Sequence, residues 1–334
     1  MDLALLWAFL IAFAVVAYVV LDGFDLGTGI LFPFLGRHEN RDTAMNSVAP
    51  IWDGNETWLV LGGGGLFAVF PLAYAIIMPA VYAPVIAMLL ALIFRGVAFE
   101  YRFKTVRGRW MWDVSFFGGS VVAAFCQGLI LATLVQGIKA VDRAYAGGWY
   151  DWLTPFSLAT GCAVVVGYAL LGACWLVMKT EGEIHDIARR YAFFLAAGTL
   201  AAIAGVSAWM PFIQPQFYAR WFASAAAFFT VAWVPVLVAV AAVSLFQSLA
   251  SGAHYRPFLS ALALFVLSFV GLGINFYPHI IPPDITIWEA AAPESSLWFL
   301  LVGAAVLIPT ILIYTAFAYW IFRGKVSENE GYHH

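Results

Sequence analysis

Nine stretches of this chain run for about 20 residues with almost no charge, and that pattern leaves few folds open. They cover 3–21, 57–75, 77–99, 115–137, 157–178, 191–213, 221–248, 256–277 and 297–322. A run of that length matches the hydrocarbon thickness of a bilayer crossed as an α-helix. Charged residues make up only 10% of the chain, against about 25% in soluble domains. Hydrophobic residues reach 63% and the mean hydropathy is +0.89. The expected fold is therefore all-α: a polytopic membrane helical bundle of about nine transmembrane helices, forming one integral membrane domain over 1–334. The second and third runs are divided only by a turn around Pro71 and Pro79. The longest links, 36–56, 138–156 and 278–296, are short enough to predict antiparallel neighbours. No internal repeat stands out.

Lys and Arg orient the chain. With an odd number of spans and the C-terminus inside, 13 of the 16 basic residues fall on the inner side, and only Lys139, Arg143 and Arg220 fall outside. The positive-inside rule then predicts an outer N-terminus and a cytoplasmic C-terminus. Trp110, Trp112, Trp149, Trp152, Trp298 and Trp320 stand near span ends, at headgroup level. No Lys or Arg precedes the first run, so it reads as a retained helix and not as a cleaved signal. The net charge of −3 gives no reason to expect nucleic acid as a partner. Cys126, Cys162 and Cys174 all sit in apolar runs and predict packing, not disulfides.

Ionisable residues at the edges of the runs carry the chemical information, because a charge in the bilayer must face protein or water. Asp22 and Asp25 end the first run, three apart and so on one helix face, with Gly23 and Gly27 as a GxxxG pair. They read either as a packing and capping site or as an acidic entrance for protons or cations. Asp53 and Glu56 repeat the spacing before the second run, flanked by Trp52 and Trp58, with Asn55 between them. They can complement the helix dipole, Asp53 as N-cap, or carry protons. The run Gly62–Gly65 predicts close backbone packing. Arg95 lies inside the third run and needs a carboxylate from another helix: Asp22, Asp25 or Asp53. Glu100, about 140° around the helix, is a poor partner. Arg102 to Arg109 read as headgroup anchors. On the outer side, Pro278, Pro282 and Pro283 mark a rigid loop.

None of the six histidines, His38, His185, His254, His279, His333 and His334, lies in the middle of a run, so no haem or copper ligation is expected from this chain. Phosphate-binding loops, dinucleotide fingerprints and nucleophile elbows are also missing. The residues alone describe a membrane protein with an inner-face entrance for protons or ions.

The same segments resemble subunit II of the cytochrome bd family of quinol oxidases, including its cyanide-insensitive branch. The resemblance is carried by Asp22–Gly27, Phe34–Arg37, Met45–Asn55 with its Trp-Asp-Gly-Asn, Gly63–Ala68, Phe94–Arg102, Trp110–Asp113, Ile287–Ala290 and Pro309–Thr315. It is dense over the first 115 residues and the last 60, and thin between. It implies a complex that oxidises quinol, reduces oxygen to water and generates a proton-motive force. Subunit I would carry the quinol site, haem b and haem d, or a b-type haem in place of haem d; this subunit would be haem-free and not catalytic alone. The proton path proposed for the family starts at the position of Asp53; in this chain Asp22, Asp25, Glu56, Arg95 and Glu100 are the residues expected to share it, and Trp52, Asn55 and Trp58 those expected to pack towards the partner or haem pocket. Glu100 stands where an aspartate is often found. The resemblance allows a small single-span accessory subunit, and a quinone or lipid held among the membrane lipids between helices. Two other readings stay open: a purely structural partner subunit, and a proton-coupled secondary transporter.

Overall fold

The computed structural model describes residues 1–326. Fourteen helices follow one another among them: α1 (Leu3–Leu31), α2 (His38–Val48), α3 (Trp52–Val69), α4 (Pro71–Ala80), α5 (Tyr82–Tyr101), α6 (Arg109–Gln136), α7 (Pro155–Lys179), α8 (Gly182–Ile213), α9 (Pro215–Phe222), α10 (Ala225–Val231), α11 (Trp233–Ser251), α12 (Arg256–Phe276), α13 (Ile287–Ala290) and α14 (Glu294–Ile321). Two short antiparallel hairpins interrupt them, β1–β2 (Ala140–Val141 with Ala144–Tyr145) and β3–β4 (His279–Ile281 with Ile285–Thr286). Eight helices are long and apolar enough to cross a membrane: α1, α5, α6, α7, α8, the α10–α11 stretch Phe228–Ser251, α12 and α14.

α3 is absent from those eight because Trp52–Glu56 and the glycines Gly62–Gly65 dilute its hydropathy, yet it lies antiparallel along α1. At one end Asn55 hydrogen-bonds the Leu21 carbonyl; at the other Val69 carbonyl accepts from Ala292 N at 2.8 Å. Its 18 residues span about 27 Å at the helical rise. The expected pair of runs 57–75 and 77–99 is thus redrawn. α3 stops at Val69, and α4, begun by Pro71, lies across that end before α5 returns.

α1 runs ten residues further than the apolar run 3–21, to Leu31. Its glycines make this possible. A Cβ on Gly27 would collide with the Tyr168 carbonyl and Gly172 N of α7, and one on Gly172 would collide with Gly27. The two backbones touch, as GxxxG predicts. The Gly62–Gly65 run repeats this only in part: a Cβ on Gly62 or Gly65 would meet Val15 or Ile11 of α1 at 3.5 and 3.4 Å, while no described residue lies within 4 Å of one on Gly63 or Gly64.

Loops segregate to two ends. Residues 32–51, 102–108, 180–181 and 252–255 share the basic end. The far end gathers the start of α1, α4 and both hairpins, where Ile138, Ile281 and Ile285 pack on Leu3 and Trp7. The loop of Pro278, Pro282 and Pro283 is tied by the β3–β4 ladder and by a capping box in which Thr286 Oγ1 accepts from Glu289 N while Glu289 accepts from Thr286 N. α14 is pinned at both ends, by Trp7 Nε1 donating to Leu297 O at 3.1 Å and by Lys179 Nζ donating to the carbonyls of Phe322 and Gly324.

Candidate functional site: a buried arginine and carboxyl cluster

Where α1, α3 and α5 meet near the basic end, Arg95 is fully enclosed. Its Nη1 lies 2.8 Å from Glu56 Oε1 and 3.6 Å from Asp22 Oδ1. The flat faces of the guanidinium are covered by Phe99 at 5.3 Å, Trp52 at 5.9 Å and Phe116 at 6.0 Å from ring centroids. Trp52 in turn stacks on Phe99 at 4.8 Å. The aromatic shell excludes water from a cation that would otherwise be solvated, and this strengthens its hold on the two carboxylates. Asp25, one turn along α1, is also fully buried. Asn55 Nδ2 donates to its Oδ2 at 2.6 Å, and Tyr319 OH of α14 donates to Asn55 Oδ1 at 3.0 Å.

The Arg95 partners differ in part from expectation. Asp22 is one of them, but Glu56 is the nearer, and neither Asp25 nor Asp53 forms an ion pair with it. Asp53 does not cap α3; Ile51 is its N-cap, and Asp53 sits exposed in the first turn. Glu100 points away from the cluster to Lys104, 3.2 Å off on the exposed face. Arg102 is not a headgroup anchor either. It is fully buried, bonded through Nε to Asp113 at 2.6 Å and through Nη1 to Asp42 at 2.7 Å, while Arg41 reaches Asp113 and Arg109 reaches Asp42. This second network ties α2 to α5 and α6, and so holds the segment that leads into Trp52–Glu56.

Sequence reasoning missed the hydroxyl and amide chain beside the acids. Tyr18 precedes Asp22 by one helical turn; Gln127 Nε2 donates to Tyr18 OH at 2.9 Å, and Tyr168 OH donates to Gln127 Oε1 at 2.6 Å. Only the spacing of Tyr18 could have suggested it. These three side chains line a cavity of about 1000 Å³, together with Trp58 and Thr199. Trp58 Nε1 and Thr199 Oγ1 are buried there with no hydrogen-bond partner among the described residues. The edge of Trp58 meets Phe13 at 5.6 Å.

A family profile described as cytochrome bd terminal oxidase subunit II matches residues 3–322. The chain belongs to this family. It is 33% identical to cytochrome bd-I ubiquinol oxidase subunit 2 of Escherichia coli (strain K12) over 365 aligned residues, covering 98% of this chain and 96% of that one. Against cytochrome bd ubiquinol oxidase subunit 2 of Bacillus subtilis (strain 168) the identity is 29%, with 97% of each chain covered. The fold is also that of a chain in the bd oxidase structure from Geobacillus thermodenitrificans, with a TM-score of 0.77 at 18% identity over 96% of this chain and 99% of that one.

Membership implies haem in the assembled oxidase, so the chain's own residues were tested for a fit. His38 and His185 stand in first turns of helices, His254 in a loop and His279 in β3. His185 and His254 face each other with ring centroids 5.4 Å apart at the basic end, and His185 Nδ1 is taken up by Val177 O at 3.0 Å. Among the described residues no three His, Cys, Asp or Glu side chains gather around a metal position. His333 and His334 lie outside the described residues. Among the described residues, then, no histidine stands in the middle of a membrane-length helix.

Proposed function

We propose that this bd-family subunit II is the haem-free partner of a haem-bearing subunit I in the bacterial inner membrane, without catalysis of its own. The pair would oxidise quinol and reduce oxygen, and this chain would both stabilise subunit I and help to take up cytoplasmic protons for the reduction. The observation that carries the proton role is a graded line of carboxyls. Asp53 is exposed at the mouth of α3; Glu56, one turn deeper, has its side chain 23% exposed; Asp22 and Asp25 are fully enclosed beside Arg95. With three carboxyls around one guanidinium, the charge-neutral state of the cluster holds two protons. A proton can be taken in at one carboxyl and given up at another without leaving a net charge in the bilayer. The line begins at the basic end, which the positive-inside rule assigns to the cytoplasm.

In the intact complex, Asp53→Asn should slow quinol-driven oxygen consumption by roughly tenfold, the effect of about 1.4 kcal/mol on a barrier, while the haem spectrum persists. Unchanged turnover would remove Asp53 from the path.

A structural reading also has an observation of its own, since Arg95 joins α5 to α1 and α3 through Asp22 and Glu56. Loss of haem or of subunit I in Asp22→Asn, before any change in turnover per haem, would favour it. The 1000 Å³ cavity would suit a quinone or lipid, with Trp58 Nε1 and Thr199 Oγ1 as free donors to a headgroup oxygen.

A further inference from the structure

Most cations at the basic end are satisfied within the chain. Arg37 lies 3.7 Å from Glu183, Lys104 pairs with Glu100, and Lys325 lies 2.8 Å from Glu181. Arg189 donates to the carbonyls of Leu249 and Ala250, and Arg323 to that of Trp320. Arg256 is different: exposed at the start of α12, it makes no hydrogen bond or ion pair among the described residues. Arg107 and Arg190 make no ion pair or hydrogen bond among the described residues either, but neither borders the cavity that Arg256 does.

That cavity, of about 820 Å³, is a groove between α11 and α12. Its lining changes with depth. Arg256 stands at the basic end, and Ser251, Gln247 and Ser244 follow along α11. The Ser244 hydroxyl bonds that of Ser260 at 2.9 Å and bridges the two helices. Beyond Ser244 the walls are Leu237, Val240 and Val266, all exposed. From Ser251 to Ser244 the helix rises about 10 Å, and from Ser244 to Leu237 about 10 Å more. The polar part thus lies at the basic end of the span Phe228–Ser251 and the apolar part towards its middle.

We infer that the α11–α12 groove is a binding site for one glycerophospholipid, its phosphate on Arg256, its ester oxygens on the amide of Gln247 and on the one free hydroxyl hydrogen of the Ser244–Ser260 pair, and an acyl chain along Leu237, Val240 and Val266. The order of cation, neutral donors and apolar wall matches the order of groups along such a lipid. A soluble anion would need only the first of these, and a peptide would need backbone partners that the groove does not offer. Nothing in this inference depends on the proton role of the acids.

The purified complex, delipidated and titrated with dioleoylphosphatidylglycerol under native mass spectrometry, should retain one lipid more than Arg256→Gln does at low occupancy. Its affinity for that lipid should be about fivefold higher, the effect expected of one basic residue near a phospholipid headgroup. Val266→Trp, which fills the apolar part and leaves the charge alone, should weaken retention as well. Equal binding by the wild type and both variants would overturn the site. Displacement of the lipid by millimolar inorganic phosphate would overturn it too, by showing a site for soluble anions. Should Arg256→Gln lower the yield of complex, Val266→Trp carries the test by itself.

Discussion

Arg95 is a single cation among three carboxyls, closed off by three aromatic rings, and its removal would strand Asp22 and Asp25, which have no water to turn to. Breaking a buried pair by deleting one partner costs about 3–5 kcal/mol, far more than the pair itself contributes, because the remaining charge is left uncompensated. Arg95→Gln should therefore lower the thermal midpoint of the solubilised complex or prevent its assembly. Arg95→Gln combined with Glu56→Gln should recover part of the loss, since Glu56 is the nearer partner. If the double variant is as unstable as the sum of the single ones, Arg95 and Glu56 are not coupled. Asn55 makes the matching point for hydrogen bonding. Its amide gives one N–H to Asp25 and accepts from Tyr319, so one side chain of α3 connects an acid on α1 to a hydroxyl on α14.

At the scale of elements, α1 is the axis of the bundle, and its close approach to α7 decides where the acids stand. Gly27→Ala places a methyl group against the Tyr168 carbonyl, and pushing two packed helices apart costs about 1–3 kcal/mol. Gly118→Ala on α6 meets nothing within 4 Å and serves as the control: a drop in thermal stability for the first and none for the second is expected. Equal behaviour would mean that the α1–α7 contact is not tight. The long apolar helices were legible in the sequence because hydropathy alone requires them; α7, α12 and α14 lie within three residues of the predicted runs, while α6 and α8 begin six and nine residues before theirs, in polar turns that hydropathy passes over. α3 was found but wrongly bounded, since the polar segment Trp52–Glu56 and four glycines hide a membrane-length helix from any hydropathy measure. The end of α1 was missed for the opposite reason. Asp22 and Asp25 look like a terminus until α3 and α5 supply their partners. Asp22 was among the carboxylates expected for Arg95 and does meet it, whereas the nearer partner, Glu56, was not foreseen, because Glu56 and Arg95 are 39 residues apart and only the folded chain brings them together. The same holds for Arg102, whose burial against Asp42 and Asp113 was invisible in the sequence.

The whole molecule divides its polar work between two ends. The basic end holds the acid cluster, the Arg102 network and the Lys179 clamp on the last turn of α14. The far end is closed by smaller devices: Asp2 accepts from Leu5 N at 3.0 Å and from Trp288 Nε1 at 2.7 Å, so the start of α1 is tied to the last loop before α14. The Leu5 amide first, and then the Trp288 indole, hold the Asp2 carboxyl below its ordinary value of 3.8. The backbone amide and then the hydroxyl of Thr286 do the same for Glu289, below 4.5. A carboxyl depressed in the folded state contributes its stabilisation in full above its ordinary pKa and loses it as pH falls through the folded value. Both groups are exposed, so the effect should be a local loosening of the far end and not unfolding. In a 5-fluorotryptophan-labelled complex, the fluorine signal of Trp288, assigned by Trp288→Phe, should shift as pH is lowered from about 5 to about 3, the range below ordinary carboxyl pKa values. Asp2→Asn should abolish most of that shift. A signal that does not move, or that moves equally in the variant, would mean that the Asp2 carboxylate does not hold the far end together.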